Sequence, residues 1–404
     1  MSTSLLYHAF GVRGYDYVRT EYLGGEVIFT VQQSRKALRC PACGSRDVGP
    51  RGHTQRNFHS LPIGRRPTIV TLAIPRVFCR NCGLTRQTRI DFADSRRSYT
   101  KAFERYALEL SGCMTIQDVA HHLDVSWDIV KDIQRRDLQR RFAKPKLKHL
   151  RQIAIDEISV AKGHHYLTVV MDLQSGAVVF VGDGKGGDAL RPFWKRLRRS
   201  GAKVEAVAMD MSPAYREAVS KHLSGAVIVF DHFHVIKLFN EKLSDLRRQL
   251  YRKATAQSDK QILKGTRWLL LKNPENLDPE RHERRRLMDA LKLNRPLASA
   301  YFLKEELRQF WSRDDKERAA VFLDDWIART MATGIKVLKT FAKTLLSHRE
   351  GLLAYYDHRI SSGRLEGTNN KIKTMKRQAY GFRDHEFFKL KILAIHEAKY
   401  ALVG

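Results

Sequence analysis

The chain has 404 residues, 43% hydrophobic and 29% charged, which is enough for several domains with ordinary cores and excludes a wholly disordered protein. Its formal net charge of +30 indicates a polyanionic partner, and nucleic acid fits better than an anionic membrane because no amphipathic or lipidation signal accompanies the charge. No apolar run approaches the ~18 residues of a spanning helix, and the first residues do not form a secretory signal, so we expect a cytoplasmic protein.

Residues 1–95 are predicted to form a β-rich module, because EVIFTVQQS and PTIVTLAIPRVF alternate apolar and polar residues. Two Cys-x-x-Cys pairs lie in it, Cys40 with Cys43 and Cys79 with Cys82, and a glycine follows each pair closely enough to allow a tight turn. The 35 residues between the pairs exceed the usual ~15–20 of simple zinc ribbons and leave room for two hairpin strands. Sparse cysteines in a reducing compartment favour metal over disulfides, so we predict one closed structural Zn²⁺ site.

Residues 96–148 are predicted to contain a helix-turn-helix that binds DNA. Apolar residues recur at helical spacing in TIQDVAHHL, and Ser126 stands at the start of a second helical stretch, WDIVKDIQRR, as its N-cap. This stretch and the run that follows carry the predicted DNA contacts Arg135, Arg136, Arg140 and Arg141. An ordinary helical hairpin is the alternative, and the net charge favours DNA contact. Cys113, just before the motif, is predicted to be a small buried hydrophobe.

From residue 149 the pattern changes to three strands (QIAIDEIS, HYLTVVMDL, AVVFVGD), followed by alternating helices and strands up to AVIVFD. This order predicts an α/β fold with a ribonuclease-H-like mixed sheet, preceded by the β-rich zinc-binding module and the helix-turn-helix. The sheet would occupy residues 149–240, an all-α insertion 241–350, and the last part of the catalytic domain 351–404.

Three carboxylates are candidates for a metal site: Asp156 and Asp210 at strand ends, and Glu366 within SGRLEGTNNKIK. In the predicted sheet the first and fourth strands are neighbours, so the two aspartates would face each other, and oxygen ligands suit Mg²⁺. The polar residues around Glu366 are predicted DNA contacts: Arg364, Asn369, Asn370, Lys371, Lys373, Lys376 and Arg377. A strand-end aspartate is also a common turn former. On pattern alone, Asp172 and Asp183 stay open as candidates, whereas Glu157 is predicted to point to the opposite face.

At these residues the chain resembles bacterial insertion-sequence transposases of the DDE type, of the ISL-three group. The similarity covers nearly the whole chain, including FGVRGY, CPAC with CRNC, IDEIS, MDMSPAY, FDHFHVIKLFNEKLSDLRR, RWLLLKNPENL and SGRLEGTNNKIKTMKRQAYGFRDHEFFKLKI. The resemblance implies that Asp156, Asp210 and Glu366 are a catalytic triad binding Mg²⁺ or Mn²⁺. It also implies cleavage at terminal inverted repeats, joining of the 3′-hydroxyl ends to target DNA, and a homodimer or larger assembly on DNA in the bacterial nucleoid.

The resemblance also selects residues outside the triad. In DHFH, Asp231 and His234 match a signature that flanks the active site in related lineages, and a helix N-cap with a satisfied histidine is the alternative. Trp268 is a candidate for stacking on a base, although a tryptophan among leucines is also typical of a core. Two other functions stay open: a ribonuclease-H-like nuclease that does not join strands, and a DNA-binding regulator derived from a transposase.

Overall fold

The structure is a computed structural model and describes residues 4–161 and 165–397. The chain divides into two compact units, the first built on Met1–Ala143 together with Glu397, and the second on Lys144–His396. No helix in the described ranges is long and apolar enough to cross a membrane.

The first unit contains a five-stranded sheet in the order β1-β2-β4-β3, with β5 paired to β4. Its strands are β1 (Tyr15–Leu23), β2 (Glu26–Gln33), β3 (Val48–Ile63), β4 (Arg66–Cys79) and β5 (Thr85–Gln87). Long alternating sequences form β3 and β4, and a turn at Gly64, which has φ +63°, joins them as an antiparallel hairpin. Apolar side chains from β2, β3 and β4 pack together as the core of this sheet.

The described part of the first unit also contains the helices α1 (Leu5–His8), α2 (Lys101–Leu110), α3 (Ile116–Leu123) and α4 (Trp127–Phe142). The side chain of Thr115 caps α3 by accepting a hydrogen bond from the N–H of Asp118. Asp124, in the left-handed region with φ +51°, ends α3 and turns the chain towards α4. These helices share a separate apolar core with α2.

The second unit is built on a mixed sheet in the order β10-β9-β6-β7-β8. Its strands are β6 (Gln152–Ala161), β7 (His165–Asp172), β8 (Val178–Asp183), β9 (Ala206–Met209) and β10 (Val227–Phe230). The pairs β6–β7 and β7–β8 are antiparallel, whereas β6–β9 and β9–β10 are parallel. The strands β7, β8 and β9 consist of buried, mostly apolar residues, as expected for a sheet that is covered on both faces.

Helices follow, interrupt and complete this sheet. They are α5 (Arg191–Ser200), α6 (Pro213–His222), α7 (His232–Lys253), α8 (Gln257–Gly265), α9 (Glu283–Leu293), α10 (Arg295–Leu307), α11 (Lys316–Ala332), α12 (Lys336–Ser347), α13 (Arg349–Leu353), α14 (Gly363–Gln378) and α15 (His385–Leu393). α14 packs against β6, α15 against β8 and α13 against β10. Gly351 permits the last contact, because a Cβ there would lie 2.4 Å from the ring of Phe230.

Candidate active site and nucleic-acid interface

Aspartates lie within or directly after three neighbouring strands of the second sheet, Asp156 within β6, Asp210 after β9 and Asp231 after β10. The parallel pairing of Ala154 in β6 with Ala208 in β9, continued by two residues, sets Asp156 beside Asp210. β10 pairs in turn with β9 and is followed at once by Asp231. The register therefore brings Asp156 and Asp210 together, although Asp156 lies in the middle of β6 and not at a strand end as the sequence pattern predicted.

Asp156 is 8% exposed, and both of its carboxylate oxygens accept hydrogen bonds. Oδ1 accepts one from the backbone N–H of Glu157, and Oδ2 accepts one from Nδ2 of Asn369, each at 2.8 Å. Burial raises the pKa of Asp156, and the negative charges of Asp210 and Glu157 add to the rise, while His234 opposes it. Such a site disfavours the ionised carboxylate unless a cation is present.

Asp231 is 1% exposed and holds the residue that precedes α14. Its carboxylate accepts hydrogen bonds from the backbone N–H (3.3 Å) and from Oγ (2.9 Å) of Ser362. Although burial opposes it, the hydrogen bond from His232 lowers the pKa of Asp231. Asp231 does occupy the N-cap position of α7, but its side chain makes no capping hydrogen bond there. The carboxylate therefore fixes the segment that leads into α14.

Glu366 lies in the first turn of α14, where its N–H donates to the carbonyl of Ser362 at 2.9 Å. The pKa of His232 is raised, mainly by its hydrogen bond with Asp231. The negative charge of Glu366 adds to this rise and therefore acts on the same region. α14 itself packs against β6, the strand that carries Asp156. The helix thus returns the third candidate carboxylate to the sheet after the long helical segment.

Two buried polar atoms near these carboxylates have no hydrogen-bond partner within the described part of the chain, Nε2 of His234 and Oδ1 of Asn369. The three carboxylates offer the oxygen donors that a hard divalent cation prefers. Among the described residues, however, Asp156, Asp210 and Glu366 do not form a group whose ligand atoms all lie within 4.8 Å of one another.

The other acids near the strand ends have structural partners. Glu157 points away from Asp156 and accepts a hydrogen bond from the hydroxyl of Tyr215 at 3.3 Å. Asp172 accepts hydrogen bonds within the turn that follows β7. Asp183 pairs with Lys389 at 2.5 Å. The structure therefore assigns a turn to Asp172 and an ion pair to Asp183, which the sequence pattern left open.

The predicted DNA contacts on α14 are not equivalent. Asn369 is 4% exposed, and its amide holds Asp156, so the expectation that it contacts DNA is corrected to a role in positioning that carboxylate. Arg364 is exposed and donates to the carbonyl of Leu173 at 2.9 Å. The exposed face of the helix carries Asn370, Lys371, Lys373 and Arg377, and Lys376 is half-buried.

The four paired cysteines converge in the first unit. Their sulfur atoms all lie within 4.8 Å of one another, with Cys40 to Cys82 at 3.6 Å and Cys43 to Cys79 at 3.5 Å. Tetrahedral Zn²⁺ with Zn–S bonds of ~2.3 Å requires sulfurs about 3.8 Å apart, so the group fits zinc. The backbone N–H of Ser45 lowers the pKa of Cys43 to about 6, which favours the thiolate that binds metal.

The helix-turn-helix has the predicted elements in α3 and α4, with Ser126 at the N-cap of α4 but without a side-chain capping bond. Arg136 donates to Asp94 (3.0 Å) and to the hydroxyl of Tyr99 (2.9 Å), so its guanidinium group serves the packing of the unit. Two further arginines pair with acids: Arg140 with Asp137, and Arg141 with Asp137 and Glu397. Arg135 is half-buried. Cys113 is exposed, which corrects its expected burial.

Comparison with known protein families identifies the family to which this chain belongs. The model of a DDE family of the ISL3 type, described as a transposase, matches residues 153–392. The chain belongs to the ISL3 family of transposases. Two further models match it, the helix-turn-helix domain of transposase family ISL3 over residues 88–137 and the zinc-finger of transposase IS204/IS1001/IS1096/IS1165 over residues 36–82. The protein is a DNA transposase, a metal-dependent enzyme that cleaves and joins DNA, and its four-cysteine cluster is a structural zinc site.

Curated relatives resemble this transposase along most of its length. It is 32% identical over 390 residues to the transposase for insertion sequence element IS1001 of Bordetella parapertussis, covering 95% of this chain and 96% of that one. It is 30% identical over 388 residues to the transposase for IS1557 of Mycobacterium tuberculosis, covering 89% and 86%. Among solved structures, the Drosophila P element transposase strand transfer complex matches at 14% identity and a TM-score of 0.35, over 66% of this chain and 80% of that one.

The transposase has a basic cleft of about 960 Å³ in its first unit, which local sequence patterns do not indicate. Six cationic and two acidic side chains line it, a formal excess of four positive charges: Arg56, Arg76, Arg86, Arg89, Arg96 and Lys101 against Asp91 and Asp94. Within residues 4–161 and 165–397, the side chains of Arg76, Arg86 and Arg96 make no hydrogen bond or ion pair. Unpaired guanidinium groups in a concave surface are suited to phosphate.

Trp268 of the transposase is not a core residue. It lies in the turns between α8 and α9 and is 64% exposed, while the neighbouring Leu269 and Leu270 are buried. The guanidinium group of Arg267 lies over its ring at 4.6 Å. The buried amine of Lys304 donates a hydrogen bond to the carbonyl of Leu270 and so holds the turn that contains Trp268. The core alternative for Trp268 is therefore excluded.

Proposed function

We propose that this transposase cleaves phosphodiester bonds at the terminal inverted repeats of an insertion sequence with Asp156, Asp210 and Glu366, and joins the 3′-hydroxyl ends to target DNA. The observation that carries the proposal is the parallel register that sets Asp156 beside Asp210, together with the packing of α14 against β6. The two relatives compared above are transposases for insertion sequence elements, which supports the terminal repeats of such an element as the substrate.

We assign the second unit to the ribonuclease-H-like fold. Three antiparallel strands followed by two parallel ones, in the order β10-β9-β6-β7-β8, support this assignment. We keep the predicted division into residues 149–240, an insertion at 241–350 and a return at 351–404, and the helices α7 to α12 follow β10 in the chain. The zinc module would occupy residues 1–95 and the helix-turn-helix residues 96–148, of which those up to Ala143 lie in the first unit.

Asp156, Asp210 and Glu366 are the residues that would hold the divalent metal, Mg²⁺ or Mn²⁺. When bound, such ions supply charge stabilisation and an activated nucleophile for in-line displacement at phosphorus. Asn369 orients Asp156, and Asp231 holds Ser362 at the start of the helix that carries Glu366. Asp231 and His234 thus take supporting positions, as the resemblance implies.

The cationic groups of both units would bind the DNA backbone. On α14, the helix that carries Glu366, Lys371, Lys373 and Arg377 are exposed and suit phosphate contacts. In the first unit, α4 of the helix-turn-helix would read the terminal repeat while the basic cleft contacts phosphates. Trp268 with Arg267 would stack on a base. Pairing of two ends implies at least a dimer on DNA, in the bacterial nucleoid.

The test uses purified full-length protein, Mg²⁺ and the DNA that borders its own gene, with strand breaks mapped to the nucleotide. Asp156→Asn, Asp210→Asn and Glu366→Gln are matched to Asp172→Asn and Asp183→Asn, strand-end acids with structural partners. We expect breaks leaving 3′-hydroxyls at the repeat ends. The first three variants should lose cleavage by several orders of magnitude and keep DNA binding, and the last two should cleave.

Three outcomes would overturn the proposal. Binding of the repeat without any cleavage by the wild type would favour a regulator derived from a transposase. Nicks at scattered positions without joining would favour a simple nuclease. Full cleavage by Asp156→Asn would remove that residue from the active site.

A further inference from the structure

Tyr380 lies in a backbone conformation that a tyrosine rarely adopts. Its φ is +50°, in the left-handed region, directly after the end of α14. The N–H of Gly381 donates to the carbonyl of Lys376 (2.9 Å), and the N–H of Tyr380 donates to that of Arg377 (3.0 Å). These two bonds define a helix-ending turn whose left-handed position is usually glycine. Tyrosine is therefore a poor choice for folding at position 380.

The side chain of Tyr380 is not packed against the residues that the structure describes. It is 101% exposed, as free as in an isolated residue. An aromatic ring in water with a strained backbone is unfavourable on both counts, and strained residues of this kind concentrate at functional sites. A reason outside the folding of this unit is required.

The surroundings of Tyr380 identify the chemistry of its partner. From Gly367 to Arg383 the chain contains five Lys and Arg residues and no Asp or Glu. α14 is also the helix whose first turn carries Glu366. An exposed aromatic ring flanked by cations is the combination that binds single-stranded or distorted nucleic acid, with phosphates on the cations and a base on the ring.

We propose that Tyr380 stacks on a nucleobase of the DNA held at the candidate active site. The 14 residues from Glu366 to Tyr380 span roughly 21 Å along the helix at ~1.5 Å per residue. This distance corresponds to about six steps of a DNA strand at ~3.4 Å per step. For a strand that runs along α14, the contacted base lies about six nucleotides from the cleaved bond, a placement that rests on the proposed role of Glu366.

The test places 2-aminopurine at single positions about three to nine nucleotides from the cleaved bond, in the DNA that borders the gene. Full-length protein carrying Glu366→Gln is used, so that the DNA stays intact, with Tyr380→Gly, Tyr380→Phe or neither. Without a change at Tyr380, we expect fluorescence quenching at one position. Phe should keep the quenching, while Gly should abolish it and weaken binding roughly tenfold. Tyr380→Gly should also raise the melting temperature by about 2–4 °C.

Phe302→Ala is the matched control, because Phe302 is an exposed aromatic residue (54%) on α10 of the same unit. It should leave quenching and affinity unchanged. Unchanged affinity and quenching in Tyr380→Gly would overturn the proposal. The proposal would also be overturned if the protein formed oligomers without DNA and Tyr380→Gly dissociated them while the quenching stayed intact. The ring would then contact a second copy of the chain. Cleavage by Glu366→Gln would refute the active-site assignment but not the stacking contact, which fluorescence measures independently.

Discussion

Asp231 accepts two hydrogen bonds from Ser362, although 131 positions separate them in the chain, at 2.9 Å from the hydroxyl and 3.3 Å from the backbone N–H. Asp231 directly follows the sheet strand β10, and the helices α7 to α13 intervene before the chain returns at Ser362. The carbonyl of Ser362 accepts a hydrogen bond from the N–H of Glu366. A single buried carboxylate therefore joins the last strand of the sheet to the helix that carries the proposed third ligand.

Asp231→Asn should impair cleavage while leaving DNA binding within about twofold. The asparagine amide presents one acceptor and a donor, so one of the two bonds from Ser362 is lost and α14 shifts. Because a misplacement of ~1 Å can lower a rate about 100-fold, we expect a loss of roughly 10- to 100-fold in single-turnover cleavage.

Ser362→Ala serves as the graded control for Asp231→Asn, since it removes the hydroxyl bond and keeps the backbone bond. Its loss of cleavage should be smaller, and both variants should show native circular dichroism. Wild-type cleavage by Asp231→Asn would show that this contact is not needed to place Glu366.

The sequence predicted those features that local patterns determine. Short apolar runs indicated the five strands of the second unit in order, and the paired cysteines indicated a metal cluster. The pattern could not indicate that Asn369 holds Asp156, because 213 positions separate them and the exposed polar run around Asn369 resembles a phosphate-binding face. It also could not show that Arg136 is used internally, since Asp94 and Tyr99 are distant in sequence.

Loss of one zinc ligand should unfold part of the first unit and weaken DNA binding. In Cys43→Ser, the remaining three thiolates bind zinc poorly, and the hairpin between the pairs loses its closure. We expect less than one zinc per chain by atomic absorption and at least about tenfold weaker binding of the repeat DNA.

Cys113→Ser is the matched change for the zinc prediction, because Cys113 is exposed and lies outside the cluster. It should keep one zinc per chain and wild-type affinity. Equal zinc content and affinity in Cys43→Ser and the wild type would contradict the assignment of the four-cysteine site.

The basic cleft of the first unit should contribute to the salt dependence of DNA binding. Each lost Lys or Arg contact to phosphate reduces the slope of log K against log[salt] by ~0.9. Arg76→Gln with Arg86→Gln should therefore lower the slope by about 2, measured by anisotropy between low and moderate salt. Arg19→Gln is the control, since Arg19 is already paired with Glu21 at 3.0 Å. An unchanged slope in the double variant would place the cleft away from DNA.

Lys391 on α15 should destabilise the second unit at neutral pH. Burial lowers the pKa of Lys391 to about 8, and its amine has no hydrogen bond or ion pair with the residues that the structure describes. The unfolded chain binds this proton more tightly than the folded one, so the penalty is full below pH ~8 and disappears as the pH rises towards ~10.5. Lys391→Met should raise the free energy of unfolding by roughly 2 kcal/mol at pH 7, a value reduced for the residual exposure of the side chain.

Urea titrations at pH 7 and pH 10 check the sign of this effect. The advantage of Lys391→Met over the wild type should shrink to a small fraction at pH 10, because the folded wild type is then neutral at this position. Lys389→Met, in contrast, should lower the free energy of unfolding at pH 7, because Lys389 pairs with Asp183 (2.5 Å) and Glu386 (2.7 Å). A Lys391→Met variant that is less stable than the wild type at pH 7 would mean that the amine has a partner that stabilises its charge.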